Sequence, residues 1–175
     1  MPNGATHARI HNMGWLVAIP ASLFSLVSDY RLGLGIFFGY ALGLFLDPDS
    51  DMQSITMSEG RVMKLGIFAW PWLAWWLGYS MLFKHRSFWS HFPYISTFIR
   101  LVWLLFPIYL FIYYKIPDGF EGAMSFLYSS WMVGIFYGLG FADLLHYLAD
   151  LLGDTLKSMF GGWFYVNDTK RKRYS

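Results

Sequence analysis

The sequence predicts an all-α fold, an integral-membrane helical bundle of four transmembrane helices plus a tryptophan-rich helix that lies in the interface or re-enters it. Three observations lead there. Of the 175 residues, 56% are hydrophobic and only 14% are charged, whereas a water-soluble domain carries about 25% charged residues. Long apolar runs recur along the chain with short polar stretches between them. Aromatic residues reach 22%, nine of them Trp, the side chain that favours the headgroup boundary. A chain of this length makes one domain over residues 1–175, ending in a basic tail at 167–175. With no cysteine there is no disulfide, no thiolate metal site and no Cys nucleophile.

The first apolar run covers residues 13–28 and the second 32–46. Arg9 precedes the first, but no small-x-small cleavage site follows it, so the run is expected to stay as a membrane helix. Asp29-Tyr30-Arg31 separates the two as a tight polar turn, giving a helical hairpin. Gly35, Gly39 and Gly43 recur every four residues and form a ridge that admits a close backbone neighbour, and Gly134 and Gly138 do the same in the last run. The run 62–83 holds Lys64, Pro71 and four tryptophans. Proline inside a helix costs about 3 kcal/mol and kinks or ends it, so this run is the interfacial or re-entrant one. Runs 92–114 and 120–148 complete the four spans.

That topology puts residues 1–12, 47–61, 84–91 and 149–175 on one face. Nine Lys and Arg fall in these segments and Lys64 of the interfacial run makes ten on that side, against Arg31 and Lys115 on the other, with Arg100 inside a span. The asymmetry makes the first side cytoplasmic, with both termini there; the expected location is a bacterial inner membrane. Arg100, within its run, needs a partner, and Asp143 on the facing run supplies one.

All five histidines, His7, His11, His85, His91 and His146, fall on the same face. So do Asp47, Asp49, Asp51 and Asp150, with Asp143 deeper by about one turn. Singly each has a structural explanation: Asp and Pro make turns, and a polar stripe on one helix face packs helices. Jointly they point to metal. Three aspartates within five residues repel unless a cation neutralises them. Imidazole and carboxylate without thiolate suit Zn, Mn or Fe. The set is large enough for two or three divalent ions, held by His7, His11, Asp49, Asp51, His85, His91, His146 and Asp150. The residues alone support metal-assisted hydrolysis, with Asp47 or Asp49 accepting a proton and Arg86 placed to fork onto an anion. A metal that only ties helix ends together in a membrane assembly is the alternative. A transporter is disfavoured because the ligand-type residues sit at helix ends and not at the midplane.

The pattern of Thr6-His7 with His11, Leu46-Asp47-Pro48-Asp49-Ser50-Asp51, His85-Arg86-Ser87 with Ser90-His91, and Asp143-x-x-His146-x-x-x-Asp150 resembles the YdjM-like family of membrane-bound metal-dependent hydrolases and the related metal-binding proteins of unknown function. That group is distantly similar to zinc-dependent phospholipase C. Ser87 stands where the YdjM-like pattern has Gly, and Ser90 precedes His91 in place of Thr, which fits the metal-binding branch better. The resemblance implies zinc and a phosphoester substrate. A site at headgroup level then makes membrane lipid, or a lipid-linked phosphate, the partner. No Gly-rich phosphate loop and no nucleic-acid motif is present in the sequence.

Overall fold

The computed structural model describes residues 4–46, 48–51, 57–83 and 87–159, with side chains left aside at 4–6, 50–51, 57–58, 117 and 153–159. Helices α1 (Gly4–Ser28) and α2 (Tyr30–Leu42) form the expected hairpin. Asp29 alone breaks them: its extended backbone leaves the helix, and its carboxylate accepts from the Arg31 and Leu32 amides to start α2. Ser22 Oγ donates to the Gly33 carbonyl at 2.6 Å and closes the hairpin. α1 begins well before residue 13, so His7 and His11 ride on its first turns.

Short elements follow. A 3₁₀ turn (Pro48–Asp51) and α3 (Met57–Val62) lead to a second 3₁₀ segment (Met63–Ala69) and α4 (Trp70–Leu82). α5 (Phe88–His91), α6 (Ile95–Lys115), α7 (Pro117–Leu127) and α8 (Ser130–Met159) complete the fold, and no strand occurs among the described residues. The run 62–83 is broken, but at Gly66, whose φ of 63° suits a residue without Cβ. Pro71 does not interrupt a helix. It lies in the first turn of α4, where its missing N–H has no intrahelical partner to lose.

Among the described residues, three helices are long and apolar enough to cross a membrane: His7–Ser28, Ile95–Lys115 and Ser130–Leu152. The sequence predicts four. The shortfall is α2: its 13 residues reach about 20 Å, less than a hydrocarbon core of about 30 Å. The apolar run continues to Leu46, but the chain leaves the helix at Gly43 in tight turns. That departure carries Asp49 towards α8.

The predicted glycine ridges pack against each other. A methyl group at Gly35 would lie 2.6 Å from the Trp131 carbonyl and 2.9 Å from Gly134 Cα, and one at Gly134 would lie 2.5 Å from the Leu32 carbonyl. Gly43 extends the seam to Ala142 and His11. On the other side of α8, Leu46, Trp76, Tyr79, Leu101 and Leu139 form the main core. Beneath the 3₁₀ turn, Arg100 and Asp143 are both fully buried and paired, as the sequence requires. Thr97 and Ser96 also donate to Asp143, and Arg100 donates to the Leu46 carbonyl. This polar layer fixes the turn that bears Asp49. Outward faces are strongly apolar: Phe24 is 82% exposed and Val27 89%.

Candidate metal centre

Four separate stretches meet at one end of the bundle. α1 contributes His7, the 3₁₀ turn contributes Asp49, α5 contributes His91, and α8 contributes His146 and Asp150 one turn apart. The i, i+4 spacing on α8 puts the last two on one face. His7, His91 and His146 are buried, whereas Asp49 and Asp150 keep 20% and 17% of their side-chain surface, so the site opens on its carboxylate side.

The donor atoms converge. His146 Nε2 lies 3.6 Å from Asp49 Oδ1 and 3.6 Å from Asp150 Oδ2. His7 Nε2 lies 3.3 Å from Asp150 Oδ1, and His91 Nε2 lies 3.5 Å from Asp49 Oδ1. Two atoms each bound at about 2.0–2.1 Å to one tetrahedral ion sit about 3.3 Å apart. The observed separations match that spacing better than a short charged hydrogen bond of about 2.7–2.9 Å. Two groups of three donors, each mutually within 4.8 Å, result: His7, Asp49 and His146, and His91, His146 and Asp150. His146 belongs to both. The residues present therefore fit one or more divalent ions by type and by spacing.

Surrounding groups orient these donors. Ser90 Oγ meets His91 Nδ1 at 3.1 Å, which turns Nε2 towards Asp49. Burial pushes the Asp49 carboxyl up, but hydrogen bonds from His146 and His91 and the charge of His146 and His7 outweigh it. The net effect holds Asp49 well below the usual carboxylate range. A small cavity of about 30 Å³ adjoins the donors, lined among others by His7, His11, Arg61, Asp143 and His146.

Of the residues predicted from sequence, the structure brings together His7, Asp49, His91, His146 and Asp150. His11 stands one turn further along α1. Its Nε2 donates to the Tyr40 carbonyl at 3.2 Å, its ring stacks on Tyr40, and it lines the cavity outside either donor group. The backbone of Asp51 lies in the 3₁₀ turn, with its side chain outside the description. Asp47, His85 and Arg86 lie outside the described residues. Sequence reasoning did not single out Arg61, whose Nη1 donates to the Leu44 carbonyl at 2.5 Å beside the three imidazoles. No spacing marks it, because its place depends on how the 43–51 turns fold back. Ser90 was noted only as part of a motif, and its position beside His91 is the signal for its orienting role.

No curated protein and no solved structure matches this chain. One family model does, and its description carries the metal-binding part of the sequence expectation without naming hydrolysis or the YdjM-like group. That model spans residues 2–160 with all the described donors inside it, and the chain accordingly belongs to the family described as uncharacterized metal-binding protein (DUF2227).

Proposed function

We propose that the chain is a membrane-embedded, metal-dependent hydrolase that cleaves a phosphoester of a lipid or lipid-linked substrate at the cytoplasmic face of a bacterial inner membrane. The observation that carries this reading is the pair of donor groups sharing His146, open on the carboxylate side. A purely structural metal site is closed, whereas a catalytic one keeps a position for water or substrate. Because a neutral imidazole offers one lone pair, the shared His146 makes the two groups overlapping arrangements around at least one ion, with zinc first for a nitrogen and oxygen donor set. Three helices of spanning length and a strongly apolar exterior support the membrane setting.

When bound, divalent metal supplies Lewis acidity and makes water acidic enough to attack near neutral pH. The chain's own groups do the rest. Asp49, which keeps a fifth of its side-chain surface exposed beside the donors, is the carboxylate placed to accept the proton of the attacking water. Arg61 presents a guanidinium to phosphate oxygens from the adjoining cavity, the role foreseen for Arg86. Water oxygen bonds to phosphorus, the phosphorus–oxygen bond to the alcohol breaks, and a proton passes to the departing alcohol.

The test is elemental analysis of purified protein together with phosphate release from vesicles of long-chain phosphatidic acid, with His146→Ala in parallel. Bound metal and turnover, both lost in the variant, support the reading. Metal present at full occupancy with no phosphoester cleaved by the wild type overturns the hydrolase and leaves a structural metal.

A further inference from the structure

We infer that the cleft between α6, α7 and α8 holds the hydrocarbon tail of the lipid whose phosphate reaches the metal centre. This rests on the hydrolase reading above and assigns the part of the substrate that reading leaves open. The cleft measures about 760 Å³, within the roughly 300–1,000 Å³ usual for a ligand site. Its walls include Phe98, Val102 and Phe106 on α6, Met124 on α7, and Met132 and Phe136 on α8, and no charged side chain lines it. Its two long walls are helices of spanning length. At that depth the surroundings are hydrocarbon, so the occupant that fits is an acyl chain and not a polar metabolite.

The cleft also lies on the same two helices that lead to the metal end of the bundle. It runs along α6 from Tyr113 to Phe98, about 22 Å at 1.5 Å per residue. Its near end on α8 is Tyr137, nine residues before His146, or about 14 Å along the helix. A headgroup layer adds about 5–8 Å on each face of the hydrocarbon core, so the headgroup of a lipid seated there covers about half of that distance, and its tail shifts along the cleft for the phosphate to meet the donors. Tyr94 marks the passage. It lies three residues after His91 and adopts φ of 64°, rare for a bulky side chain. Its ring fills the space left by the missing Cβ of Gly140, where a methyl carbon would meet Tyr94 Cε1 at 2.5 Å. The same ring touches Phe136 and Tyr137, both cleft residues.

The experiment uses the full-length protein in vesicles carrying a trace of phosphatidic acid with a photoactivatable group on its long acyl chain. Labelled residues are mapped by mass spectrometry in wild type, Val133→Trp, Val102→Trp and the control Phe24→Trp. All three sites are solvent-exposed in the isolated chain, so folding is preserved. Labels concentrated on α6 and α8 cleft residues, cut about tenfold by either cleft variant and unchanged in the control, support the proposal. In the same variants, phosphate release from long-chain phosphatidic acid falls about tenfold, while release from a short-chain, water-soluble phosphate ester holds. If the wild type cleaves neither ester, the hydrolase reading fails, and the labelling pattern still decides the cleft. Labels spread evenly over the outward faces of α1, α6 and α8 overturn it.

Discussion

The rings of His7 and His146 stack 4.0 Å apart with an interplanar angle of 12°. The contact locks the first turns of α1 to the middle of α8 and sets two imidazoles side by side at the candidate metal centre. Because His146 serves both donor groups and His7 only one, their replacement has unequal consequences. Wild-type protein is expected to retain metal, with a partial loss in His7→Ala and His91→Ala and a near-complete loss in His146→Ala, measured by elemental analysis after gel filtration. Equal metal content in His7→Ala and His146→Ala contradicts a shared ligand.

Arg61 faces the cavity beside the donors without being one of them. Arg61→Ala should leave the metal content unchanged and raise KM for an anionic ester about tenfold or more, consistent with the loss of a charged hydrogen bond of about 1.5–3 kcal/mol. Arg61→Lys should restore part of the loss, since a lysine keeps the charge without the fork. Steady-state kinetics on the metal-loaded protein reads both. An unchanged KM removes Arg61 from substrate binding.

The Arg100–Asp143 pair is fully buried and supports the Leu46 carbonyl. Arg100→Leu leaves a buried carboxylate without its cation, a change that costs about 3–5 kcal/mol. The paired variant Arg100→Leu, Asp143→Leu should recover much of that stability. It should still bind metal more weakly, because the Leu46 carbonyl that anchors the Asp49 turn has lost its donor. Thermal unfolding in detergent and metal titration separate the two effects. Additive losses in the double variant would disprove coupling.

The glycine seam tolerates no side chain. Gly35→Ala would press a methyl group onto the Trp131 carbonyl, and overpacking of this kind costs about 1–3 kcal/mol. Gly122→Ala, within α7 where a methyl group meets nothing within 4 Å, is the control and should hold or raise the melting temperature through helix propensity. Similar melting temperatures for the two variants would show that the backbones do not approach as closely as the coordinates place them.

Asp29 carries the pH dependence of the hairpin. Its carboxyl is held below the usual carboxylate range, first by a hydrogen bond with Ser130; slight burial opposes this, and the Arg31 and Leu32 amides add to the lowering. A depressed folded-state pKa stabilises the fold above the unfolded value of about 3.9, and that contribution is lost as pH falls through the lower folded value. Asp29→Ala is therefore expected to unfold more readily than wild type at neutral pH, with the gap narrowing below about pH 4. Unfolding curves across pH test it, and a gap that widens in acid reverses the sign.

Much of this centre was legible in the sequence because metal ligands come from few residue types. Imidazoles and carboxylates confined to one face of the expected topology are a strong signal, and the Arg100–Asp143 pair followed from the cost of burying a lone charge. The glycine ridges were legible for the same reason: a four-residue period of missing side chains has a packing meaning. The length of α2 was not legible. Hydropathy continues to Leu46, but helical hydrogen bonding gives way to turns at Gly43, and composition does not register that change. Pro71 was read as a break because its effect depends on where the helix starts, which Gly66 decides upstream. Arg61 escaped notice because its importance arises only from tertiary folding.

The centre joins the first helix of the fold to the last. During synthesis α1 emerges more than a hundred residues ahead of His146 and Asp150, and His7 alone has no company with which to grip an ion. Metal uptake must then wait until α8 has docked beside α1, and the bound ion acts as a clasp on the finished bundle, raising its stability in proportion to its affinity. Without the ion, the two ends of the chain lack this tie at the rim, and α1 and α8 are held there by side-chain packing alone.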